Sequence, residues 1–197
     1  MPEVLFYHLQ GRPLEQVLPT LLERSLARGW KAVVELSSRE RLAGLDDRLW
    51  TYADESFLPH ATAAEPDAAT NPIVLTTAAD NPNGAQVRFC VDGVRIPDAL
   101  DAYERVILMF DGDDPDALAS AREDWKKLRT LGIAATYWQQ DETGRWEKKA
   151  GKYLLPLLWR LRSPAVPSTW AGFPSSPTSA APAPAAPRPA SRRRRRC

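Results

Sequence analysis

A chain of 197 residues, 44% hydrophobic and 26% charged, suits one soluble globular domain with an appendage rather than a fibre or a membrane protein. The net charge of +1 hides a split. Residues 151–197 hold nine of the 26 basic residues and no acids, which leaves residues 1–150 with 17 basic against 25 acidic, a net of −8. An acidic domain is not built to cover duplex DNA, whose phosphates are held by lysine and arginine, although a local basic patch on it can take an acidic peptide.

Met1-Pro2-Glu3 leads directly into Val4–Leu9, a short apolar run that reads as a buried first strand, so no leader segment is expected. Pro13 suits the first turn of a helix, where its missing N–H costs nothing. Leu14, Val17, Leu18, Leu21, Leu22 and Leu26 then recur at helical spacing up to Gly29, and Pro19 inside this pattern predicts a kink. Ala32–Leu36 is a second apolar strand. Ser37 or Ser38 caps the next helix, with Leu42, Leu45 and Leu49 on its buried face. A long loop from Tyr52 to Pro72 precedes a third strand at Ile73–Thr76. Asn81-Pro82-Asn83-Gly84 is a turn, Gln86–Val91 a strand, and Pro97–Glu104 a short helix. Val106–Phe110 is the purest apolar run and reads as a central strand. Asp113, Asp114 and Pro115 start a helix, with acids set against its positive end. That helix runs to about Leu131, and Gly132 ends it. Ile133–Gln139 is the last strand, Asp141–Gly144 turns the chain, and Trp146 packs back. Apolar strands alternating with helices predict a largely parallel sheet covered on both faces, a three-layer α/β/α fold.

Past residue 150 the composition changes. Nine of the 18 prolines lie there, Thr178–Pro189 is almost wholly alanine and proline, and Arg192–Arg196 follow. Residues 151–197 therefore read as a separate low-complexity segment, disordered from about 163 onward, with Leu154–Leu161 as a short apolar turn. Cys90 and Cys197 make no disulfide framework, and Cys90 in its apolar run reads as a buried, reduced thiol. No run reaches the roughly 18 apolar residues of a membrane span, so the expectation is a cytoplasmic protein with no membrane partner.

The motifs of common α/β enzymes are missing. No glycine-rich phosphate loop follows the first strand, and no G-x-S-x-G elbow occurs. His8 and His60 are too far apart in sequence to suggest a zinc site. Asp111, Asp113, Asp114 and Asp116 follow a strand, where a metal is conceivable, but helix capping explains them equally simply. No cofactor, metal or catalytic residue is expected. Two stretches suggest binding instead. Leu45–His60, LDDRLWTYADESFLPH, sets Trp50, Tyr52, Phe57 and Leu58 among acids, so it either folds under the core or offers a sticky surface; His60 is read as fixing that loop. Ala121–Arg129, AREDWKKLR, places Arg122, Lys126 and Arg129 along one helix face with Trp125 beside them. This suits an acidic peptide ending in an apolar residue, or else is an ordinary solvated face with Trp125 in the core.

Four separated blocks carry a family resemblance: VLFYHL, LDDRLWTYADESFLPH, YERVILMFDG and AREDWKKLRTLGIAATYW. Together, over about residues 3–149, they resemble the chi subunit of the bacterial DNA polymerase III holoenzyme. The resemblance implies a Rossmann-like α/β/α fold over residues 1–150. It also implies a non-catalytic clamp-loader accessory, which binds the acidic C-terminal tail of the single-stranded DNA-binding protein and the psi subunit or a replacement partner. Nucleic acid would be reached mostly indirectly. The family's tail-binding helix matches Arg122, Trp125 and Lys126, though an earlier position that is often basic in the family is Leu118 here. Its psi-facing aromatics match Trp50 and Phe57. Two alternatives stay open: a metal-dependent or nucleotide-handling α/β enzyme, and a nucleic-acid-binding protein acting through its basic tail.

Overall fold

The computed structural model describes residues 2–141 and 143–149. The expectations for Leu154–Leu161, for disorder beyond 163, for Arg192–Arg196 and for Cys197 lie outside the described residues. The apolar runs form strands β1 (Glu3–Leu9), β2 (Ala32–Glu35), β4 (Ile73–Thr76), β5 (Val87–Cys90) and β6 (Arg105–Asp111). The strand expected at Ile133–Gln139 is β7 (Ala135–Gln140), and the structure adds β3 (His60–Thr62) within the long loop and β8 (Trp146–Lys148), so β7 is not the last strand. The order across the single sheet is β3-β4-β2-β5-β6-β1-β7-β8. All pairings are parallel except β7 with β8. Val106–Phe110 lies within β6, near the middle of the sheet, as its unbroken apolar run implies.

Helices α1 (Leu14–Leu26), α2 (Arg39–Trp50) and α3 (Pro115–Thr130) complete the layers. The pleat sends Leu5, Tyr7 and Leu9 of β1 to one core, with Leu18 and Leu22 of α1 and Leu45 and Leu49 of α2. It sends Val4 and Phe6 to the other core, with Ala121 and Leu128 of α3. A sheet buried on both faces needs apolar residues at successive positions, which is why these strands read as continuous runs. Ser38 caps α2 by accepting from the Arg41 N–H at 3.2 Å, and Asp114 caps α3 by accepting from Asp116 and Ala117 at 2.9 and 3.3 Å. Helix α1 runs through Pro19 without ending there.

One expected helix does not form. Pro97–Glu104 is irregular rather than helical. Ile96, Leu100 and Tyr103 do share a helix-like spacing and are buried, but the Ile96 N–H goes to the Asp124 carboxylate of α3 at 3.4 Å instead of to a local carbonyl. Arg95 grips the same carboxylate through Nε and Nη2, at 3.0 and 2.7 Å. The segment is thus tied to α3 at its start, and it makes one turn of its own, in which the Tyr103 N–H donates to the Leu100 carbonyl at 3.0 Å. Strand β3 is only three residues long, too short to carry a period in the sequence.

The chain crosses from β4 over β2 to β5 through residues 77–86, with no helix in this connection. Arg88 of β5, with no exposed surface, organises it. Its Nε and Nη2 donate to Oε2 of Glu35 on β2, the former at 3.1 Å. Its Nη1 donates to the Asp80 carbonyl and to the Tyr103 hydroxyl, both at 2.8 Å, and Nη2 reaches the Ala78 carbonyl at 3.2 Å. The guanidinium also lies 5.6 Å from the Tyr103 ring centroid.

Removing one member of a buried ion pair strands the other. Arg88→Met is therefore expected to lower stability by about 3–5 kcal/mol at neutral pH, read from urea unfolding. Cys90 is buried beside this network, and burial pushes its thiol up to about 12. With almost no thiolate at pH 8, Cys90 should resist maleimide labelling in the native protein and label fully in denaturant, as checked by peptide mass spectrometry.

Candidate functional site

Trp50 ends α2 and Phe57 lies in the loop beyond it; they are 56% and 68% exposed, the most exposed large aromatics among the described residues. Their ring centroids are 5.8 Å apart. The loop is not loose. His60, buried at the start of β3, lies with its ring tilted against Trp50, centroids 4.8 Å apart, and donates from Nδ1 to the Leu58 carbonyl at 2.7 Å. Its Nε2 lies 3.3 Å from Asp46 Oδ1, whose carboxyl is raised in pKa chiefly by partial burial. Leu58 is buried, and Tyr52, half-buried, donates its hydroxyl to Glu23 on α1 at 2.8 Å. Both alternatives for this stretch are thus realised at once: Leu58 and Tyr52 fold onto the core while Trp50 and Phe57 face outward.

On the other side of the sheet, α3 divides its charges. Asp124 and Lys127 hold the 94–103 segment, the latter through Asp98. Arg122, Lys126 and Arg129 form an exposed row at helical spacing away from it. Trp125 lies between this row and the core. It is half-buried, edge-to-face with Phe6 at 5.1 Å and Tyr137 at 6.3 Å, and its buried Nε1 finds no acceptor among the described residues. Leu118 packs against the same core, so the first turns of α3 use an apolar side chain for burial rather than a cation.

Connections leave β1 and β6, which are neighbours, in opposite directions, and ligands of open α/β sheets bind in the crevice at such a reversal. Here the crevice is about 560 Å³; Glu15, Asp92, Asp111, Asp113 and Asp114 line it, against the two cations Arg12 and Arg41, the latter paired with Asp92. The N–H groups of Gln10, Gly11 and Arg12, which a phosphate would use, converge at 3.1–3.2 Å on the side-chain oxygen of buried Gln140. A carboxylate-lined crevice with an internally filled nest does not suit a nucleotide. Asp114 and Asp111 act as local caps, the latter accepting from the Asp113 N–H at 2.9 Å. No group of three or more His, Cys, Asp or Glu side chains is placed to hold a metal among the described residues.

Next to the crevice, His8 stacks on Phe110 and bonds Tyr137 through Nδ1, and burial lowers its pKa. Gly112 sits against it: a Cβ there would lie 1.9 Å from His8 Nε2. One constellation had no signal in the sequence at all. Trp30 lies beneath the guanidiniums of Arg28 and Arg105, 5.5 and 5.3 Å from its centroid, and Arg105 comes from 75 positions further along the chain.

Residues 1–136 match the family described as DNA polymerase III chi subunit, HolC. A relative named probable DNA polymerase III subunit chi, from Rickettsia prowazekii (strain Madrid E), is 24% identical over 117 residues, covering 56% of this chain and 71% of the relative.

The packing of Trp125 separates it from the cations beside it. Trp125→Ala should cost about 2–3 kcal/mol, below the usual loss for a fully buried tryptophan, while Arg122→Ala and Lys126→Ala each stay within about 0.5 kcal/mol; urea unfolding checks both.

Proposed function

The chain belongs to the DNA polymerase III chi subunit family, and from that membership we propose that it is a non-catalytic adaptor at the replication fork with two binding faces. The observation that carries the first face is the exposed Trp50–Phe57 pair held on a buried His60 anchor. Large aromatics kept exposed on a rigid support are the usual anchors of protein interfaces. This face takes psi, or a replacement partner, and so ties the chain to the clamp loader.

The second face is the α3 row of Arg122, Lys126 and Arg129 with Trp125 at its edge. Guanidinium and ammonium groups beside an aromatic suit the acidic C-terminal tail of the single-stranded DNA-binding protein. Supporting this division, α2 and α3 pack on opposite faces of the sheet, so the two partners need not compete. Residues 1–150 form the adaptor domain in this reading, and 151–197 are a separate low-complexity segment.

A pull-down with Trp50→Ala should lose psi or its replacement and keep the single-stranded DNA-binding protein, and Arg122→Ala should do the reverse. By calorimetry, Trp50→Ala is expected to cost about 2 kcal/mol or more in partner affinity. A synthetic acidic-tail peptide should bind less tightly as salt rises and lose about 1–3 kcal/mol in Arg122→Ala. Unchanged peptide affinity in Arg122→Ala/Lys126→Ala would remove α3 as the site.

A further inference from the structure

We propose that the Trp50–Phe57 face recognises arginine side chains, so that its partner is a protein segment combining apolar residues with guanidinium groups. This rests on the reading of that face as the adaptor's docking surface, and adds the chemistry of what docks there. The charge around the rings carries it. Residues 42–87 hold seven acids against a single lysine or arginine, Arg48. Asp46 and Asp47 precede Trp50 by four and three positions, so they share its side of α2. Arg48 is two positions from Trp50, a spacing at which helix side chains do not face each other. Asp54 and Glu55 are exposed in the loop that joins the two rings.

These charges act on one another. The Asp46 carboxyl is raised in pKa first by partial burial; His60 opposes this, and Glu65 and Asp47 add to it. Asp47, Asp54 and Glu55 pair with no cation among the described residues. The rings they flank are open, 56% and 68% exposed, with centroids 5.8 Å apart and planes at 43°. The occupant follows from what each candidate would leave unsatisfied. A purely apolar partner would cover the rings but strip water from the flanking carboxylates and offer them nothing. An acidic segment, a nucleic acid or an anionic lipid surface would bring like charge against them. A guanidinium meets both demands, because it stacks on an aromatic face and still turns its in-plane donors to a carboxylate. An ammonium answers the charge but lacks the plane and the fork that make both contacts at once.

The test uses full-length protein labelled with ¹⁵N and blocked amphipathic helical peptides of about 14 residues, with leucine on one face and arginine, lysine or glutamate on the other. The Trp50 indole resonance, assigned with Trp50→Phe, should shift with the arginine peptide. The lysine peptide should need a concentration about threefold higher or more, and the glutamate peptide should leave the resonance still. Asp47→Asn/Glu55→Gln, both at exposed positions, should weaken the arginine peptide by about threefold or more and flatten its salt dependence, with no change in melting temperature. Asp113→Asn/Asp116→Asn removes the same charge at the start of α3 and should leave the titration unchanged. The proposal is overturned by a Trp50 resonance that stays still at saturating arginine peptide, by a lysine peptide that binds as tightly, or by an equal loss in the Asp113→Asn/Asp116→Asn control. It is also overturned if replacing all five tail arginines, Arg192→Gln through Arg196→Gln, moves the Trp50 resonance without peptide, since the chain's own tail is then the occupant. The proposal and the reading beneath it fail differently. A psi subunit or replacement partner lost with Trp50→Ala but kept with Asp47→Asn/Glu55→Gln leaves the docking face standing and removes its arginine chemistry; one kept with Trp50→Ala removes the face itself.

Discussion

Arg88 is the group around which one half of the sheet is arranged. A parallel strand crossing is normally covered by a helix, and the β4–β5 crossing has none. In its place a fully buried guanidinium gathers the Glu35 carboxylate, the Ala78 and Asp80 carbonyls and the Tyr103 hydroxyl. An isolated charge there would be prohibitive, and it is tolerable because its donors meet partners in good geometry. The consequence spreads outward. The crossing loop is drawn onto the sheet, Tyr103 is fixed, and the 94–103 segment is laid flat between Arg88 below and Asp124 of α3 beside it.

That arrangement decides what α3 can do. Asp124 and Lys127 are used for internal contacts, so the helix keeps one cationic row facing outward. Trp125 is divided between roles: most of it is packing, and its edge borders the row. On the opposite face, α2 ends at Trp50 with His60 of β3 against it, so Trp50 is presented by a helix end while Phe57 lies in the loop between α2 and β3. A site built on rigid elements loses less entropy on binding.

The crevice at the strand ends is filled in part from within the chain. The loop after β1 still brings three N–H groups together, but Gln140 supplies the acceptor from within the chain. Carboxylates line the remaining space. The absence of a glycine-rich loop was visible in the sequence; the filling of the nest was not, because Gln140 lies about 130 positions from the loop it satisfies.

The sequence by itself determined whatever depends on neighbours along the chain. Apolar runs such as Val106–Phe110 specify buried strands, Ser38 and Asp114 specify helix starts, and the 3.6-residue repeat of Arg122, Lys126 and Arg129 specifies a shared helix face. Four ordered motifs were enough to indicate the family that residues 1–136 match. Tertiary structure alone decided the partners of charged and polar groups. Nothing local says that Arg88 meets Glu35, that Asp124 accepts from the Ile96 N–H, or that Arg105 lies over Trp30. The physical reason is range. Periodicity and capping act within a few residues, whereas an ion pair or a cation over a ring depends on which distant strands the sheet brings side by side.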